Sequence, residues 1–275
     1  MRQHPIILIF TRFWSNRFGL VPGIILAMGI SAFQTGRKPL PSGIGISDPP
    51  NLILHFKVTV HGQPFQLHKT YLNPFGESFT PDIFRFYAGK ITASYKNGAQ
   101  VKGHSPESYH LIDFADSAST QVALRIREGV YNEIHFLLGI DSIDQVGGAQ
   151  SGPLDPVKGM FWTWNSGYLS FKIEGSSPKS TEPAHAFAYH IGGYRWPNRT
   201  SRNIKIGTGN GRPFRINREG ATVLNIPLEL DHFFDGITPI HIRNIPACTS
   251  PGRLARQIAE NFTAVFTGIE PAALP

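Results

Sequence analysis

The chain holds one cysteine, Cys248, in 275 residues, which excludes an internal disulfide and any cysteine-rich zinc or iron–sulfur site. Cys248 sits in "NIPACTSPG" and reads as a small, half-buried residue. Charge is also scarce, with Asp, Glu, Lys and Arg at 16% of residues. The balance is basic, +7, yet no run of Lys or Arg follows residue 50. Scattered charge lacks the footprint of a nucleic-acid binder. There is no G-x-S-x-G elbow, P-loop, HExxH or CxxC. "GTGNGR" (207–212) imitates a Gly-rich nucleotide loop, but no strand–loop–helix unit surrounds it, so it reads as a hairpin turn. With no nucleophile or acid–base motif, the chain is not expected to be an enzyme. The pairs Asp113/Asp116, Asp141/Asp144 and Asp231/Asp235 leave a hydrolase as the weakest reading. Asp141 and Asp155 read as turn caps ahead of calcium ligands.

What is abundant is glycine (28), proline (22) and apolar side chains (41%), a mix that suits a turn-rich β protein. From Leu52 onward short alternating stretches recur: "LILHFKVTV", "FQLHKTYLN", "IFRFYAGKITASY", "SYHLIDF", "TQVALRI", "EIHFLLGI", "GYLSFKIEG", "HAFAYHIGG", "RNIKIG" and "ATVLNIPLEL". Turn signals such as Asn97-Gly98 separate them. The expected fold is all-β, an antiparallel β-sandwich with a short C-terminal helix. That helix is predicted over 251–266, with Ser250 as N-cap, Pro251 at the first position and Leu254, Ile258, Phe262 and Val265 as its apolar stripe. "DHFFDG" makes one helical turn at most.

The N-terminus differs in kind. Arg2, Arg12 and Arg17 precede the apolar run 19–33, the layout of a signal peptide. The run is short for a spanning helix, although "PIILIF" upstream leaves an N-terminal anchor, in contact with the membrane, as the alternative. Residues 1–33 are therefore read as signal peptide or anchor, 34–50 as a linker and 51–270 as one β-sandwich domain. The expected location is periplasmic or secreted, with attachment through the N-terminus as a variant.

Eleven histidines stand beside that single cysteine, and imidazole suits copper and zinc. His104 and His110 flank "SPESY", and His190 lies in "YHIGGY". "GMFWTWNSGY" (159–168) carries Trp162 and Trp164, two apart and so on one side of a strand. They read first as core and second as an aromatic wall beside the His190 site, an electron relay or an oxidation target.

"GIDSIDQVGGAQSGPLDPVKGMFWTWNSGYLSFKIEG" followed by "FAYHIGGY" resembles the MbnP-like family of exported bacterial proteins. "YLNPFGESFTPDIFRFYAGKI", "SPESYHLIDF" and "IAENFTAVF" extend the resemblance over about residues 52–268. It implies a periplasmic or secreted β-sandwich linked to copper and methanobactin systems. In the family, copper sits between two histidines and a kynurenine that a MauG-related, diheme peroxidase-like partner makes from tryptophan. One ligand lies in a His-Leu-Gly-like motif, matched here by His190. The other lies in Trp-x-His before a Leu-Leu-Asp-Phe-like strand. Here that stretch is "HSPESYHLIDF", with His104 near the tryptophan position and Pro106 near the histidine position, and no tryptophan stands between Trp14 and Trp162. The kynurenine version of the site is thus not expected, and His104 or His110 would replace the missing ligand, with Asp113 or Tyr109 fixing its tautomer. The resemblance leads to a copper-binding, copper-handling protein without turnover. The alternative is a metal-free structural or interaction β-sandwich that keeps the family fold.

Overall fold

The computed structural model describes residues 49–164 and 167–272. The expected export segment 1–33 and residues 34–48 of the linker lie outside them. Among the described residues no helix is long and apolar enough to cross a membrane.

The first strands are β1 (Leu52–Val60), β2 (Gln63–Pro64), β3 (Tyr71–Leu72), β4 (Ser78–Ser94), β5 (Gln100–Lys102) and β6 (Tyr109–Asp113). β7 (Gln121–Leu124), β8 (Gly129–Tyr131) and β9 (Glu133–Leu138) lead to the one-turn helix α1 (Ser142–Gln145). β10 (Phe161–Trp162), β11 (Gly167–Ser176), β12 (Ala186–Gly192), β13 (Arg202–Gly207), β14 (Phe214–Ile216) and β15 (Thr222–Glu229) follow. The chain continues through α2 (Asp231–Phe234), β16 (Ala247–Cys248), α3 (Arg253–Ala264) and β17 (Glu270–Pro271).

Alternation builds both layers. Leu52, Leu54, Phe56, Val58 and Val60 on β1 are buried, and so are Leu224, Ile226 and Leu228 on β15 beside it. These strands form the centre of a five-stranded sheet, ordered β17-β15-β1-β2 with β7 also on β1. The larger sheet runs β13-β9-β4-β11-β12-β16, with β3, β5 and β6 on β4 and β10 on β11. Phe56 meets Phe86 at 5.3 Å and Phe136 at 5.8 Å between ring centroids, which stitches the two sheets into one core. α3 closes that core with Ile258, Phe262 and Val265, all fully buried.

The sandwich is therefore as expected, with departures of physical origin. β1 pairs with β15, and β12 with β16, in parallel, so the sheets are mixed. "FQLHKTYLN" yields only the short β3; His68 sits at φ 62°, which breaks any strand through it. β4 begins at Ser78, earlier than its sequence suggests. Pro81 is tolerated there because the pairing with β11 is irregular at Glu174/Gly175, where a missing N–H matters least. α3 starts at Arg253 behind Gly252, not behind Ser250. "GTGNGR" is a turn, but its flanking strands β13 and β14 pair with β9 and β8, not with each other.

Candidate functional site

Side-chain alternation across the larger sheet decides which histidines can meet. β6, β4, β11 and β12 are neighbours, and their register aligns Asp113, Arg85, Lys172 and His190 in one row. Phe84, Phe86, Phe171, Ile173, Tyr189 and Ile191 occupy the alternate positions and are buried in the core. The row therefore lies on the outer face. His190 Nε2 hydrogen-bonds the Glu174 carboxylate diagonally across the β11–β12 pair. Lys172 Nζ reaches the same Glu174 oxygen at 3.0 Å. The His190 hydrogen bond, aided by Lys172 against the opposing effect of burial, brings the Glu174 carboxyl down to about 2.

Asp113 does not support a histidine. Its Oδ2 lies 2.7 Å from Arg85 Nε, and Arg85 also donates to the Lys158 carbonyl at 2.9 Å. Asp113 and His190 end the row three strand spacings apart, roughly 14 Å. Tyr109 is engaged elsewhere too: its hydroxyl donates to Asp144 and accepts from the Asp141 amide at 3.2 Å. Burial and the Asp144 contact push its hydroxyl well above the usual tyrosine range.

His110 pairs with Ala88 and shares its strand parity with the core residue Ile112, so it points to the opposite face from His190. His104 follows β5, where its backbone exchanges hydrogen bonds with Arg125 at 2.7 and 2.8 Å. Both residues line one depression of about 720 Å³, together with Lys90, Lys102, Glu107 and Asp144. Neither makes a side-chain hydrogen bond among the described residues. Burial alone lowers the His110 pKa below the usual histidine value. His104 and His110 thus border one depression, and His190, on the opposite face of the sheet, does not border it. That is a correction to the expected His190 pair, and its cause is the parity of β6 against β12.

The two tryptophans also separate. Trp162 is buried, whereas Trp164, in the turn after β10, is 63% exposed. Their rings remain 5.2 Å apart. Trp162 lies over Gly192, where a Cβ would come within 2.8 Å of its ring. Gly192 is two residues beyond His190 on β12. The core reading fits Trp162 and fails for Trp164. Cys248 is buried, and burial pushes its thiol up to about 11.

Three further residues matter here and escaped the sequence: Glu174, Lys172 and Arg85. Their only signal is polar alternation in "FRFY" and "SFKIEG", which shows a solvent-side face but not which histidine it adjoins. Asp141 and Asp155 are helix caps, accepting from the amides of Ile143 and Val157. Among the described residues no three or more His, Cys, Asp or Glu side chains are placed to hold a metal ion. A copper site of three such ligands does not fit the described residues.

Comparison with known proteins agrees with the architecture. MbnP from Methylosinus trichosporium superposes with a TM-score of 0.53 at 14% identity, covering 72% of this chain and 82% of that one. The likeness is one of fold. No curated protein matches. The sequence model of the MbnP family matches residues 49–250, and the chain belongs to that family.

Proposed function

We propose that this MbnP-family chain is an exported, methanobactin-associated protein that binds copper without turnover, through His104 and His110 and not through His190. One observation carries the reading: two histidines without side-chain hydrogen bonds border one depression. Burial keeps His110 neutral at neutral pH, the form that ligates. Cu(I) accepts nitrogen donors and low coordination numbers, so two imidazoles suffice. A diheme peroxidase-like partner belongs to this reading through Trp164, the tryptophan of the 159–168 stretch that an oxidant protein can reach.

The second reading is a metal-free interaction sandwich. It is favoured by the absence of a three-donor group among the described residues and by the use of His190 Nε2 on Glu174. Anaerobic Cu(I) titration of the full chain against a chromophoric chelator separates the two. The copper reading expects one equivalent bound by the wild type, loss of binding in His104→Ala and His110→Ala, and retention in His190→Ala. Acidification should release the metal as protons compete for the imidazoles. No uptake by the wild type leaves the metal-free reading standing.

A further inference from the structure

One end of the sandwich combines bare apolar tips with exposed guanidinium groups. Trp196 is 90% exposed, Ile143 78%, Val146 70% and Trp164 63%. These side chains come from separate loops that local contacts hold together. Ser142 Oγ donates to the Tyr194 carbonyl at 3.0 Å, tying α1 to the Trp196 loop. Gln145 accepts from the Tyr168 amide at 2.7 Å, tying α1 to the start of β11, while Trp162 carries Trp164 beside Gly192.

Charge at this end is one-sided. Its acids are already neutralised: Lys90 lies 2.6 Å from Asp141 and 3.6 Å from Asp144, and Arg202 lies 2.9 Å from Glu260. Arg202 spends its remaining donors on the carbonyls of Arg199, Ser201 and Arg256. It thereby fixes the backbones of two other arginines whose own side chains are exposed. Arg199 and Arg256 make no side-chain hydrogen bond or salt bridge among the described residues, although Lys90, with help from the Arg199 charge, holds the Asp141 carboxyl below its usual range. With Trp196 they line a depression of about 600 Å³.

We propose that this end docks on an anionic phospholipid surface. Indole rings settle at the headgroup level of a bilayer, with an apolar body and an N–H that stays wet. Ile143 and Val146 would enter beside them, while Arg199 and Arg256 meet lipid phosphates, for which a planar guanidinium is the better cation. A protein partner fits less well. Protein interfaces have a contiguous apolar centre depleted of charge with a polar rim, whereas here arginines stand among separated tips. The inference does not depend on copper.

The test is partition of the full chain onto vesicles of phosphatidylglycerol and phosphatidylcholine in equal parts, against phosphatidylcholine alone. Every variant keeps residues 1–42, so binding through that segment is common to all. Arg199→Ala and Arg256→Ala should each weaken binding to the anionic vesicles about fivefold, in line with the attraction of one basic side chain to such a surface. Brominated acyl chains should quench the emission component that Trp164→Phe/Trp196→Phe removes. No loss in the arginine variants, or no quenching of that component, overturns the proposal. Concentration-dependent self-association through these residues without vesicle quenching also overturns it and assigns the face to a second copy.

Discussion

Replacing Phe262 by alanine tests whether α3 is structural to the sandwich or only rests on it. The ring is fully buried. It stacks on Phe171 at 4.1 Å and meets Phe84, Phe86, Phe233 and Phe266 edge-on at 5.8 to 6.3 Å. Losing the transfer free energy of one buried phenylalanine removes about 1.5–3 kcal/mol. The void left, on the order of 100 Å³ at ~24 cal/mol per Å³, adds about 2 kcal/mol, because five rings around it cannot all relax inward. The expected loss is about 4–5 kcal/mol. Urea unfolding followed by circular dichroism reads it as a lower midpoint at unchanged slope. Arg253→Ala, exposed in the first turn of the same helix, should stay within about 0.5 kcal/mol. A Phe262→Ala loss under about 1 kcal/mol would refute the packing argument.

Two further perturbations address the β11–β12 pair that carries His190. Glu174 has a depressed folded pKa of about 2, so its contribution is present above the ordinary carboxylate value of 4.5 and vanishes as pH falls from there through about 2. Glu174→Gln should lower stability by about 1–2 kcal/mol at neutral pH, once solvent screening at a part-exposed site is counted, and the gap to wild type should close on acidification. A gap independent of pH would show that the ion contacts contribute nothing. Gly192→Ala would place a Cβ 2.8 Å from the Trp162 ring and 3.0 Å from the Tyr168 carbonyl, so a loss of about 1–3 kcal/mol is expected in thermal melts. Gly209→Ala meets nothing within 4 Å and serves as the neutral control.

Strand content was legible because a period of two survives in the residues themselves. "LILHFKVTV" announces β1 and its buried face without any structural knowledge. The apolar stripe of α3 was equally plain, and only its first turn was misplaced: Pro251 lines a pocket with the 193–198 loop ahead of the helix. The parallel pairings were not legible, since nothing in Leu52–Val60 names Thr222–Glu229 as its neighbour. The candidate site failed at the same step. Sequence supplies the histidines, but whether two of them share a face depends on register across four strands. Shifting one strand by a single residue would reverse the answer.

The parallel pairing of β1 with β15 sets Leu52 against Thr222 and Thr59 against Glu229. The first strand of the domain therefore finds its parallel neighbour in one made some 170 residues later, at a loop-closure cost met before that ladder forms. The smaller sheet can pair β1 with β2 and β7 early, but it cannot be completed while the ribosome is still short of residue 229. A chain stopped short of residue 229 would thus leave Leu52–Val60 without the neighbour that covers nearly its whole length.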